Sequence, residues 1–264
     1  MTGGRLTIAV LGLGEAGSAI AADLAAAGAL VRGFDPRVPA ASLGVIECDD
    51  DADACRGADV VLSLTTAHEA VDGLRAALPG LSPTAIYADL NTSGSSLKRA
   101  LSSLAGGAGI TRFADVALMS PVPGKGLRTP MLACGPAAQD YALLLGGLGA
   151  LVEVLAAPPG AAADRKLVRS VFFKGLAAAV TESLRAARAA GFEDWIRDSI
   201  AAELTAATEA TVGRLEQGSS LHARRRVEEM ADAAGLLSEL GIPPRIARAS
   251  EEWLRQLLHE QGEG

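Results

Sequence analysis

The chain opens with an apolar run, Leu6 to Leu11, that passes straight into glycines at 12, 14 and 17. A short apolar run bounded by turn residues predicts a buried strand, and the Ala-rich stretch after it predicts a helix to about Ala27, stopped by Gly28. The alternation then continues. Apolar runs at 29–34, 44–48, 58–65, 84–89, 112–118, 130–136 and 151–155 predict strands, with helices between them at 49–56, 67–77, 95–105 and 137–148. Strands alternating with helices predict a doubly wound, mostly parallel α/β sheet. At Pro158-Pro159-Gly160 the pattern changes. Beyond it only helical periodicity remains, with helices expected at 161–190, 195–216 and 220–240 and a last one through Leu258. The expected division is an α/β domain over 1–159 and an all-helical domain over 160–264.

The glycines carry chemistry as well as shape. Gly-x-Gly-x-x-Gly between a strand and a helix lets the backbone turn tightly, approach a pyrophosphate and pack the helix on the sheet, as in a Rossmann dinucleotide-binding domain. The stretch Gly12, Leu13, Gly14, Glu15, Ala16, Gly17 would then cradle the phosphates, aided by the positive end of the helix. Asp35 ends the second strand 18 residues after Gly17, where a carboxylate can accept hydrogen bonds from the adenine-ribose hydroxyls. That carboxylate favours NAD, while Arg37 could instead bind the 2′-phosphate of NADP; the balance falls on NAD. Leu64, Thr65, Thr66 and Asn91 sit at strand ends, where open α/β sheets bind ligands, and complete the expected cofactor set. The competing reading is an ordinary strand–helix turn with glycines for packing alone.

Composition narrows the partners. Aromatics make up only 3% of 264 residues, so the core must be built from Ala, Leu, Val and Ile. A formal charge of −7 argues against nucleic acid or an acidic membrane surface, both of which attract a basic face. The N-terminus, Met1-Thr-Gly-Gly-Arg5, has no signal-peptide pattern, and no run of about 18 apolar residues predicts a membrane span, so the expectation is cytoplasmic. Cys48, Cys55 and Cys134 are odd in number and include no Cys-x-x-Cys, which indicates neither disulfides nor a metal site. They are expected reduced and mostly buried, with Cys55 the one to reach the surface. The tail, Gln261 to Gly264, is expected to fray.

Taken together, Gly12-Leu-Gly-Glu-Ala-Gly17, Asp89-Leu-Asn-Thr-Ser-Gly94 and a long helix carrying a lysine after the sheet resemble the β-hydroxyacid dehydrogenase / 6-phosphogluconate dehydrogenase superfamily. The resemblance covers nearly the whole chain. It implies that Gly160-Ala-Ala-Ala-Asp-Arg-Lys166-Leu-Val-Arg-Ser170 matches the family's Gly-x-x-x-x-x-Lys-x-x-x-Asn, with Lys166 as general acid/base and Ser170 in the place of the asparagine. Three departures leave the substrate open. The Ser-Gly-Gly substrate loop is replaced by Asp115-Val-Ala-Leu-Met119-Ser120-Pro121, the Lys-Asp pair of the third C-terminal helix by Glu228-Glu229, and an extra Lys174 follows Lys166. The chain looks like a short divergent branch whose helical domain has no well-assigned function.

Helical spacing bears on the same lysines. At about 100° per residue, Lys166, Arg169, Ser170, Phe173, Lys174 and Ala177 share one half of the helix. Cations on such a stripe must face solvent, an acidic partner or a site that wants positive charge. A lysine beside other cations can take and return a hydroxyl proton during hydride transfer. Lys166 is the first candidate and Lys174 the second; otherwise both are solvated surface groups. Asn91, Met119 and Ser120 are candidate substrate contacts, with turn-forming roles as the plain alternative for Asn91 and Ser120. Arg225 and Arg226 could clamp a carboxylate or phosphate, or else pair with Glu228 and Glu229 at the surface. The expectation is an NAD(P)-dependent oxidoreductase acting on a small anionic hydroxy acid or its oxo form, paired as a homodimer through its helical domain. An imine reductase of the same architecture and a non-catalytic dinucleotide sensor are the rivals.

Overall fold

A computed structural model of the chain describes residues 5–40 and 44–262. Met1 to Gly4 and the last two residues of the tail lie outside the described residues, and with them part of the N-terminal and tail readings.

Eight strands form one sheet in the order β3-β2-β1-β4-β5-β6-β7-β8: β1 Thr7–Leu11, β2 Leu30–Phe34, β3 Ile46–Glu47, β4 Val60–Ser63, β5 Ile86–Asp89, β6 Phe113–Leu118, β7 Met131–Cys134 and β8 Val152–Leu155. All neighbours are parallel except β6 and β7, which the loop Met119–Pro130 joins as antiparallel partners. Five helices cover the sheet: α1 Glu15–Ala26, α2 Asp51–Cys55, α3 Ala70–Ala77, α4 Ser95–Gly107 and α5 Ala138–Gly146. Alternation along the strands explains the two layers. Ile8 and Val10 pack with α1 and α5 through Ile20, Leu24 and Tyr141, whereas Ala9 and Leu11 face Leu74 of α3 and Leu101 of α4. All three cysteines are buried, and Cys55 is 0% exposed, which corrects the surface placement expected for it. Burial pushes its thiol up to about 12 and that of Cys134 up to about 11.

The long helix α6 runs from Ala161 to Ala190. Its start packs into the α/β unit, where Ala162 joins Ala117, Leu132 and Cys134 in a small cluster. The chain divides into two compact units between Arg169 and Ser170, inside α6 and beyond the sequence boundary at 159/160.

The second unit holds the rest of α6 and α7 Glu193–Ala206, α8 Glu209–Leu221, α9 Ala223–Glu239 and α10 Arg245–Glu260. One helix expected at 195–216 is therefore two. The break falls at Ala207–Thr208, where the Thr208 N–H donates to Thr211 Oγ1 at 2.9 Å and starts α8 without any Gly or Pro to mark it. Glu182 of α6 caps α10 from a distance: its carboxylate accepts the N–H groups of Ile246 at 2.9 Å and Ala247 at 3.0 Å. Ala223, Ala234, Ala247 and Leu254 form the buried contacts of α9 and α10, but α7 and α8 bury no residue. Among the described residues no helix is long and apolar enough to cross a membrane.

Candidate functional site

The strand ends converge on one edge of the sheet. Registers place Leu11, Ser63, Asp89 and Asp115 in a single row across β1, β4, β5 and β6, so Gly12, Leu64 and Leu90 begin the loops above it. Gly12 lies at φ +90°, and a Cβ there would meet the Leu64 carbonyl oxygen at 2.5 Å. A methyl at Gly17 would overlap the carbonyl oxygen of Gly12, so α1 can approach the turn only through glycine. Gly14 has nothing within 4 Å of its missing side chain, which leaves the turn open on its outer side.

That opening leads into a cavity of about 590 Å³ lined by Gly12, Gly14, Glu15, Ala16, Asp35, Arg37, Leu64, Thr65 and Thr66 among others. The remaining members of the expected cofactor set serve it from behind or lie elsewhere. Leu13 is buried, and its N–H donates to Asp35 Oδ2 at 2.8 Å, bracing the glycine turn. Gly17 is buried in α1. Asn91 is turned inward: its Nδ2 donates to Asp89 Oδ1 at 2.6 Å and to Ser63 Oγ at 3.1 Å.

The residues present fit a dinucleotide. The first-turn N–H groups of α1 face the open glycine turn, as a pyrophosphate requires. Asp35 accepts from Leu13 with one oxygen and from the N–H groups of Arg37 and Val38 with the other. A carboxylate has about four acceptor positions, so one remains for a ribose hydroxyl. The cavity also contains carboxylates that sequence reading missed: Asp51 on α2, Glu69 before α3 and Asp72 within it. Arg32 fixes α2 in place, donating to the Asp53 carbonyl at 2.9 Å and pairing with its carboxylate at 3.1 Å. Arg37 pairs with Glu69 at 3.1 Å. Burial, helped by Asp50 and Asp35, raises the Asp51 carboxyl to about 6.

Further along the same edge lies a buried charged cluster. Lys98 of α4, 1% exposed, places Nζ 2.7 Å from Asp89 Oδ2 and 3.1 Å from Asp115 Oδ1, and donates to the Asp89 carbonyl oxygen at 2.8 Å. Burial raises the Asp89 carboxyl, opposed by the Lys98 charge. Asp115 turns its other oxygen to α6, accepting the N–H of Gly160 at 2.9 Å and of Ala163 at 3.4 Å. Nothing in the helix pattern of 95–105 singled out Lys98. The available signal was the pair of acids ending adjacent strands, since two buried carboxylates demand a cation.

One and a half turns into α6, Lys166 donates from Nζ to Thr92 Oγ1 at 2.6 Å. Thr92 lies just past β5 and was not among the expected site residues. Ser170 and Lys174 follow on the same face of the helix, in the second unit. Ser120 is held in the β6–β7 loop, accepting from Lys125 Nζ at 3.0 Å, and Met119 packs against the cluster around Ala162. Arg225 pairs with Glu229 at 2.5 Å, and Arg226 donates to Ser219 Oγ at 3.0 Å, so both make local contacts in the helical unit. Among the described residues no cluster of His, Cys, Asp and Glu could hold a metal ion.

This fold, with a glycine turn opening on a strand-end cavity, defines a dinucleotide-binding domain carried ahead of a helical unit. A family model described as the NAD binding domain of 6-phosphogluconate dehydrogenase matches residues 7–121, and a domain of unknown function (DUF1932) matches 187–257. The chain thus joins a 6-phosphogluconate dehydrogenase-like NAD-binding domain to a DUF1932 domain, a make-up that supports a nicotinamide-dinucleotide-dependent oxidoreductase. A conserved hypothetical protein from Sinorhizobium meliloti is 32% identical, with 96% of this chain and 88% of that one covered and a TM-score of 0.60. A conserved protein of unknown function, described as structurally similar to 3-hydroxyacid dehydrogenases, is 29% identical over 98% of this chain and 99% of its own, with a TM-score of 0.61. An imine reductase from Myxococcus stipitatus in complex with NADP+ shares the fold at 19% identity, covering 98% of this chain and 96% of its own, with a TM-score of 0.81.

Proposed function

We propose that the protein interconverts a small hydroxy acid and its oxo form, with Lys166 as the general acid/base and NAD as the preferred cofactor. The observation that carries this reading is the Lys166–Thr92 contact, which supports an amine stationed at the strand-end edge. Adjacent strands lie about 4.8 Å apart, so the end of β5 stands roughly 10 Å across the sheet from the glycine turn that follows β1. A bound nicotinamide dinucleotide would supply hydride acceptance and donation. The chain's own part is to hold the dinucleotide through the glycine turn and Asp35, and to take the hydroxyl proton on the Lys166 amine as the alcohol is oxidised. In reduction the same ammonium returns it. In this reading Ser170 orients the substrate oxygen and Lys174 is the second candidate base, with Asn91, Met119 and Ser120 as candidate substrate contacts.

NAD is preferred over NADP on electrostatic grounds. A 2′-phosphate would enter a cavity lined by Glu15, Asp35, Asp51, Glu69 and Asp72, with Arg37 engaged by Glu69. A second copy of the chain is proposed as the partner of the helical unit. Helices α7 and α8 bury nothing, and Trp195, Val212 and Leu221 stand 68–77% exposed, so these helices need an apolar surface to rest on.

The test is a cofactor-coupled screen of hydroxy acids, oxo acids and imines with both dinucleotides, on wild type and Lys166→Ala. General acid/base loss lowers kcat by about 10²- to 10⁴-fold on the correct substrate. Unchanged turnover in Lys166→Ala refutes the acid/base assignment. Turnover of a cyclic imine that ignores this substitution replaces the reaction by imine reduction, and dinucleotide binding without turnover of any substrate leaves the sensor reading.

A further inference from the structure

We propose that the buried Asp89–Lys98–Asp115 cluster is a positioning device that sets where the Lys166 amine stands relative to Thr92. The inference rests on the reading of Lys166 as the acid/base. The contacts close a ring. Thr92 lies three residues beyond Asp89 on the chain leaving β5, and Lys166 lies three residues beyond Ala163, close to one helical turn. Lys98 grips both the carboxylate and the carbonyl of Asp89 and also pairs with Asp115. Asp115 grips the first turn of α6 through Gly160 and Ala163. The ring is completed by Lys166 on Thr92.

Direction is what ionic groups add here. Apolar side chains of similar volume would hold β5, β6 and α4 together without the desolvation cost of two acids and a base that are at most 1% exposed. They would not fix how far along its axis, or at what rotation, α6 begins. Asp115 does both, because its oxygen meets two N–H groups of one turn. Cys134 adds a third fixed point on that turn: its Sγ accepts the Ala162 N–H at 3.3 Å and donates to Asp115 Oδ2 at 3.3 Å. The positive end of α6 also offsets the second carboxylate that Lys98 alone leaves uncompensated. Gly160, at φ +104°, lets the chain reach this geometry; a Cβ there would meet Ser95 Cβ at 2.8 Å.

The experiment reads Lys166 itself. Lysines are reductively methylated with ¹³C-formaldehyde, the Lys166 signal is identified by its loss in Lys166→Ala, and its chemical shift is followed against pH in Asp115→Asn, Asp89→Asn and Thr92→Val. The expected result is that both cluster variants move the midpoint in the same sense as Thr92→Val, by about half a pH unit or more, as loss of a fixed partner requires. In the coupled assay they lower kcat by about tenfold or more, as expected for a displaced reacting group, with NADH affinity within about twofold of wild type. Adding Thr92→Val to either costs little more, because the contact is already lost. A midpoint and a kcat per folded molecule unchanged in both cluster variants overturn the proposal. So does failure of both to fold, which makes the cluster a folding element. Full activity of Lys166→Ala would instead remove the acid/base reading while the titration still reports whether the cluster positions the amine.

Discussion

Asp51 gives the sharpest quantitative test of how the cavity is built. Its carboxyl is raised from 3.8 to about 6 by burial first and by Asp50 and Asp35 after it. Above pH 6 the group is ionised in both the folded and the unfolded chain, and the folded state bears the cost of keeping it so. Between about pH 6 and 4 the folded chain holds a proton that the unfolded chain has released, so stability rises as the pH falls through that window. Below it both states are protonated and the cost is gone. A shift of about two units sets a ceiling near 3 kcal/mol, and the partly exposed position reduces this, through solvent screening, to about 1 kcal/mol. Asp51→Asn should therefore stabilise the protein at pH 8 by about 1 kcal/mol, or roughly 2–4 °C in Tm, and by nothing measurable at pH 4. Urea melts of both proteins across pH 4–8 measure this directly. A constant difference at all pH values, or a variant less stable at pH 8, would refute the argument.

Three further outcomes follow from contacts already described. Gly17→Ala should weaken dinucleotide binding and destabilise the fold by about 2–4 kcal/mol, because the new methyl collides with backbone that cannot yield; isothermal titration and denaturant melts report each effect. Glu182→Ala removes the acceptor for two N–H groups of α10 and should cost about 1–2 kcal/mol, seen as faster amide exchange at Ile246 and Ala247. Cys48, Cys55 and Cys134 should resist alkylation at pH 8 in the native protein and react on unfolding, since all three are buried and burial raises each thiol; fast labelling of any of them in native buffer would contradict their placement.

The sheet was legible because its strands are short apolar runs set between turn residues, and the glycine turn because each glycine there answers a steric demand. The limits of α6 were equally plain, with Gly160 and Gly191 at its ends. The break between α7 and α8 was hidden, since Ala207-Thr208 looks like ordinary helix, yet both residues turn extended and Thr208 and Thr211 cap each other at the start of α8. Candidate site residues divided along similar lines. Those fixed by backbone position, such as Gly12 and Asp35, could be read from spacing. Thr92 could not, because its partner Lys166 lies far away in sequence, and Lys98 could be found only by seeing that Asp89 and Asp115 end adjacent strands and need one cation between them. Asp51 stayed hidden because a carboxylate in a run of acids reads as solvated surface until Arg32 is seen pinning its helix to the sheet.

The brace between Asp35 and the Leu13 amide has a kinetic consequence. A loop that is already tied down loses no freedom when its guest arrives, so capture of the dinucleotide needs no preceding rearrangement of the turn. Association should then be rapid and insensitive to changes in the turn's intrinsic flexibility, and differences in affinity among related cofactors should appear in how long each one stays.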